Sequence, residues 1–131
     1  MRYVVRDPVS PAEIGHLYRL LHESNYPKKI SEQEQHLVVT DDSEQVVGGL
    51  TWLPQGKDVV YLSALVVAPS LTGRGIASVL VEDFCVRMTA RGTRLVKTDF
   101  LIRRFYQARD FHVDARWGGL VRHLITATSN P

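Results

Sequence analysis

The sequence predicts an α+β fold in three layers, with a mixed and mostly antiparallel sheet of about six to seven strands flanked by about three to four helices. Three observations carry this. Strand-like segments follow one another between His36 and Val67 with only short turns between them, which reads as an antiparallel meander. Ile76, Leu80, Phe84 and Met88 then recur at four-residue spacing, one face of a long amphipathic helix. Leu95 to Thr98 is strand-like again, so that helix joins two strands by a right-handed crossover and makes the pair parallel.

The chain opens on a short strand at Tyr3 to Arg6. Ser10-Pro11-Ala12-Glu13 is a capping box with proline at the first helical position, and Ile14, Leu17, Tyr18 and Leu21 continue as one helix face. Pro27 disfavours a helical Tyr26, so this helix is expected to fray near Asn25, and residues 27–34 read as a loop or loose turn. His36 to Thr40 and Gln45 to Leu53 are strands joined by Asp41-Asp42-Ser43-Glu44, and Pro54 to Asp58 forms a second turn. Gly48 and Gly49 fall mid-strand, where a bulge or a close backbone approach is expected. Val59 to Val67 is apolar almost throughout, the pattern of a strand buried on both faces. Gly92 should stop the long helix. Asp99 is expected to cap a short helix reaching Arg109, strands at Val113 to Trp117 and Leu120 to Leu124 close the sheet, and Thr126 to Pro131 reads as a frayed tail. Residues 1–131 read as a single domain.

Composition excludes several classes. With 44% hydrophobic and 23% charged residues, the chain is neither disordered nor fibrous. No apolar run approaches the roughly 20 residues of a membrane span, and the N-terminus lacks the features of a signal peptide. Cys85 is the only cysteine, which excludes an internal disulfide and leads to the expectation of a cytoplasmic setting. It falls on the buried side of the long helix and reads as core. The five histidines show no metal-site spacing, so no metal is expected. A net charge of +2 does not argue for a nucleic-acid binder. Residues 1–60 carry six basic and nine acidic side chains, whereas residues 61–131 carry ten basic and five acidic ones. An anionic ligand is therefore drawn toward the second half.

The informative turn lies between the buried strand and the long helix. Gly73 and Gly75 bracket Arg74 where the first N–H groups of a helix have no helical partner and its dipole adds positive potential. On these residues alone, a phosphate cradle and a purely structural turn both stay open. A P-loop is excluded, because no Gly-Lys-Ser/Thr is present. A dinucleotide fingerprint fits poorly: Ser78 stands at the third small position, but the unit lies mid-chain in a mixed sheet.

The stretch Leu65-Val66-Val67-Ala68-Pro69-Ser70-Leu71-Thr72-Gly73-Arg74-Gly75-Ile76-Ala77 resembles the acyl-CoA-binding motif of the GNAT superfamily of N-acyltransferases, Gln/Arg-x-x-Gly-x-Gly/Ala after a strand. Phe105-Tyr106-Gln107-Ala108-Arg109-Asp110-Phe111 resembles the family's other signature, an aromatic pair followed by Gly-Phe. The order of elements is similar over nearly the whole chain. Ser70 departs from the family's Gln or Arg, and Asp110 from its Gly, at a position expected to need a positive φ. Residues 22–34 are short for the family's second helix and substrate wall.

The resemblance implies an N-acetyltransferase that moves the acetyl group of acetyl-CoA to a primary amine by direct attack in a ternary complex. The N–H groups of Thr72, Gly73, Arg74, Gly75, Ile76 and Ala77 would hold the pyrophosphate. Leu65, Val66 and Val67 would pair, strand-like, with the pantetheine arm in a slot where the central strand pair splays. Phe105 would flank the cofactor, Arg74 would meet its phosphates, with Arg104 or Arg109 as further options whose other reading is a solvated helix face, and a backbone N–H near Val66 or Val67 would face the oxyanion. Tyr106 matches the family's tyrosine beside the thioester sulfur, a general acid; its other reading is an aromatic anchor. The family often places a carboxylate on the central strand, where this chain has Val59, Val60, Tyr61, Leu62 and Ser63. Asp58 at its start is the nearest base candidate, with Glu34 and His36 as remoter options through water, and the role stays open. Trp52 reads as core or as lining of the acceptor pocket. The short wall also admits a non-catalytic acyl-CoA-binding regulatory or sensing domain, or a homodimer whose partner completes the acceptor site. No nucleic-acid or membrane partner is implied.

Overall fold

The computed structural model describes residues 2–24, 31–99 and 102–124. In chain order the elements are β1 (Val4–Arg6), α1 (Pro11–Glu23), β2 (Gln35–Thr40), β3 (Val46–Gly56), β4 (Val59–Val67), α2 (Ile76–Ala90), β5 (Leu95–Thr98), α3 (Arg103–Gln107), β6 (His112–Asp114) and β7 (Gly119–His123). They form one seven-stranded sheet in the order β1-β2-β3-β4-β5-β7-β6. Every neighbouring pair is antiparallel except β4 and β5.

The two long helices cover opposite faces. Ser10 starts α1 as expected, its Oγ accepting from the Glu13 N–H at 3.4 Å with Pro11 in the first turn. Leu17, Tyr18, Leu20 and Leu21 of α1 pack on Val38, Val46, Ala64 and Val66. A side chain at Gly49 would put its Cβ 2.4 Å from the Leu37 carbonyl and 2.8 Å from Leu17 Cδ1, so glycine here is what lets α1 approach the sheet. On the other face Ile76, Leu80, Val81, Phe84, Cys85 and Met88 of α2 pack on Leu50, Trp52, Leu62, Leu65 and Val96. Gly92, at φ +87°, ends α2, and Thr93 N–H returns to the Met88 carbonyl at 3.0 Å.

β4 feeds both layers through a bulge. Thr51 pairs with Ala64 and Trp52 with Leu62, leaving Ser63 as an extra residue. Val60 and Leu62 accordingly join the α2 side, and Ala64 and Val66 the α1 side. β5 pairs only with Val59 to Leu62. Beyond Leu62, β4 has no strand partner on its β5 side among the described residues, so the central pair opens there.

Three boundaries differ from the sequence reading by three residues, and others by one or two. β3 runs on through Pro54 to Gly56, and the turn contracts to Lys57-Asp58. Proline is tolerated because β2 pairs only as far as Trp52, so Pro54 sits on a locally free edge. Asp99 does not cap α3; the capping position is Ile102, with no side-chain hydrogen bond. β6 spans His112–Asp114 rather than reaching Trp117, because Gly118, at φ +71°, turns the chain back. The expected fraying at Asn25 and the expected tail lie outside the described residues.

Candidate functional site

At the C-terminal end of β4 the chain makes a 3₁₀ turn at Pro69–Leu71 and enters α2 through Gly73 and Gly75, both at φ +80°. Gly75 is the capping residue of α2, and no side chain caps the helix. Val79 makes the first helical bond, to the Gly75 carbonyl at 3.1 Å, so Ile76, Ala77 and Ser78 present N–H groups without intrahelical partners. A Cβ on Gly73 or Gly75 would meet nothing within 4 Å, so the space over these amides is open.

That space is part of a cavity of about 230 Å³ lined by Val67, Thr72, Gly73, Gly75, Ile76, Ala77, Ser78, Phe105 and Arg109. Arg109 is fixed at its wall. Its Nε donates to Ser78 Oγ at 2.6 Å, Nη2 donates to the same oxygen, and Nη1 donates to the Phe105 carbonyl at 2.8 Å. The guanidinium also lies 3.8 Å from the Phe105 ring centroid. Helix N–H groups, a positive helix end and a clamped guanidinium on one cavity form an anion site. Ser78, weighed in the sequence only as a nucleotide-fingerprint position, is the residue that anchors this arginine.

The remaining sequence candidates divide. Arg74 is exposed and points to a different surface, beside Tyr3, Val5 and Val39. Arg104 is exposed. Leu65 and Val66 bury their side chains in opposite cores, so only their backbone faces the opening beside β4. Tyr106 is buried, its ring 5.3 Å from Phe105 and 5.0 Å from Phe111. Asp110 adopts φ +66°, the positive value expected of that position. Asp58 sits in the β3–β4 turn at φ +65°, its carbonyl accepting from the N–H groups of Arg94 and Leu95. It lies at the opposite end of β4, five residues or roughly 16 Å below the bulge. Burial pushes the Cys85 thiol up to about 11, as befits a core residue rather than a nucleophile. Trp52 is buried against Phe84 in the α2 core.

A carboxylate does stand at the bulge, and it is Glu34. The residue is only 9% exposed. Ser63 Oγ donates to Glu34 Oε2, and the Thr51 and Ser63 hydroxyl oxygens lie 2.6 Å apart. With the Ser63 proton directed at the carboxylate, Thr51 is the donor of that second bond. Beside it, the Tyr18 hydroxyl and His36 Nε2 share a 3.0 Å hydrogen bond. Burial, reinforced by the Glu34 charge, pushes the Tyr18 phenol up to about 12. Tyr61 is raised by burial, and then by the charges of Asp99 and Glu34. This polar group is negative and lies on the α1 side, where β4 parts from β5. Sequence spacing did not reveal its weight, because Glu34 lies 29 positions before Ser63.

The model for the Acetyltransferase (GNAT) family matches residues 5–111. The chain belongs to that family. Similar solved structures share the GNAT fold. The E. coli GNAT N-acetyltransferase YhbS, solved in complex with CoA, is 23% identical, covering 95% of this chain and 83% of that one at TM-score 0.72. The PaiA N-acetyltransferase of Thermoplasma acidophilum, solved in complex with coenzyme A, is 14% identical over 94% of this chain and 99% of that one, at TM-score 0.74. Ard1 from Thermoplasma volcanium is 16% identical over 95% and 99%, at TM-score 0.77. No curated protein matches the sequence.

Proposed function

We propose that this GNAT chain is an acetyl-CoA-dependent N-acetyltransferase acting on a primary amine by direct attack in a ternary complex. One juxtaposition carries the reading: an anion cradle at the end of β4 and a buried carboxylate at its bulge flank the stretch where β4 leaves β5. The CoA complexes of similar proteins support the same cofactor class.

Acetyl-CoA supplies the activated acyl group. The N–H groups of Gly73 to Ala77 bind its pyrophosphate, with Arg109 beside them as a fixed counter-charge; the Thr72 N–H turns back to the Pro69 carbonyl. Leu65 to Val67 offer their free backbone edge to the pantetheine arm, and an N–H near Val66 or Val67 faces the carbonyl oxygen as charge develops. Glu34 attracts the ammonium form of the acceptor and takes its proton, oriented by Ser63 and Thr51. Tyr106 delivers a proton to the departing sulfur. Asp58, at the far end of β4, has no part in this arrangement.

Calorimetric titration with acetyl-CoA, followed by thiol release across a panel of primary amines, tests the proposal. Saturable heat and amine-dependent thiol release are expected. Binding without release for any amine would overturn the transfer and leave a sensing domain; no heat would overturn the cofactor.

A further inference from the structure

We propose that His112, Asp114 and His123 form a binding site for one divalent transition-metal ion at the β6–β7 edge of the sheet. One ligand atom from each residue lies within 4.8 Å of the other two. The pairing explains this convergence. His112 stands opposite Val121, so Asp114, two residues on, and His123, two beyond Val121, project from the same face. It is the face turned away from α2, because Leu120 packs in the α2 core and Arg122 reaches Glu82 of that helix, with Nη1 2.7 Å from Oε1. The two imidazole rings stack with centroids 5.6 Å apart and planes 17° apart.

Asp114 is oriented by its neighbour Arg116. The Arg116 N–H donates to its Oδ1 at 3.0 Å and Arg116 Nη2 to its Oδ2 at 3.0 Å. Arg116 Nε also donates to Oδ1 at 3.3 Å, and this side chain, 79% exposed, can remain as the carboxylate's outer partner while an ion takes the free lone pair of Oδ2. Metal–nitrogen and metal–oxygen bonds of about 2.0–2.2 Å draw such ligands together by about 1 Å. Both histidines are exposed, so side-chain rotation alone accomplishes that. Two imidazoles and one carboxylate suit zinc, nickel, cobalt or copper rather than magnesium or calcium, with water in the remaining positions.

The ten positions between His112 and His123 hide the site from any spacing rule. A bound ion would tie the first residue of β6 to the last of β7, immediately after Phe111, whose ring contacts Tyr106. The proposal is independent of acyl transfer.

Calorimetry of the tag-free, metal-stripped chain with zinc chloride, then magnesium chloride, tests it. One zinc per chain is expected, with a loss of affinity of about tenfold or more in His112→Ala, His123→Ala and Asp114→Asn, and no magnesium heat. Zinc should raise the Tm of the wild-type chain and not that of His123→Ala. Circular dichroism of the metal-free variants should match wild type, since none of the three side chains belongs to the core. No saturable zinc binding, or an isotherm unchanged in any one of the three variants, would overturn the site.

Discussion

Replacing Gly73 with glutamate isolates the electrostatic core of the proposed cofactor site. A Cβ there meets nothing within 4 Å, so the fold has room for the new side chain. The cost to the fold comes from φ +80°, about 1–2 kcal/mol for a residue with a Cβ. The cost to binding is larger. A carboxylate about 5 Å from a phosphate charge, at an effective dielectric of about 20, opposes it by about 3 kcal/mol, a hundredfold or more in affinity. Gly73→Lys carries the same backbone strain with the opposite charge. Calorimetry with coenzyme A at low salt should show the glutamate variant at least about a hundredfold weaker and the lysine variant near wild type. Equal losses in both would assign the effect to shape, and unchanged binding by the glutamate variant would refute the cradle altogether.

Three further outcomes are expected. Tyr106→Phe should lower kcat by about a hundredfold while leaving coenzyme A affinity within a factor of about two, read by thiol release and calorimetry. Glu34→Gln should cut kcat by about 10²–10⁴ and flatten the acidic limb of its pH profile, again with coenzyme A binding preserved. The Arg6 hydrogen bond holds the Glu13 carboxyl down to about 2, so Glu13 stabilises the fold above the ordinary carboxylate range and loses that contribution as pH falls toward 2. Urea midpoints at pH 3 and pH 6 should therefore differ more for wild type than for Arg6→Ala.

Local signals located most of the fold. Ser10 with Glu13, the four-residue apolar rhythm of α2 and the glycines at 73, 75 and 92 each act within a turn of chain, so their structural effect was legible in order. The features hidden from the sequence share a cause. Pro54 reads as part of a turn in sequence because the extent of β2, which leaves it an open edge, is a pairing property. Ser63 looked like one more strand residue because a bulge is defined by its partner's register. Asp58 is nearer to Ser63 along the chain, but Glu34 is the carboxylate that meets Ser63 once β2, β3 and β4 align. Arg109 was visible as a charge; its grip on Ser78 needed α3 to be placed against α2.

The bulge at Ser63 has a consequence for how this chain tolerates change. Strand residues on either side of it obey opposite inward–outward rules, so deleting that single position would swap Ala64 through Val67 between layers and wreck both cores together. With it in place, the Val59 to Leu62 half and the Ala64 to Val67 half vary under separate constraints. Under the proposed function, substitutions around Glu34 would change acceptor preference without disturbing the turn at Gly73 and Gly75.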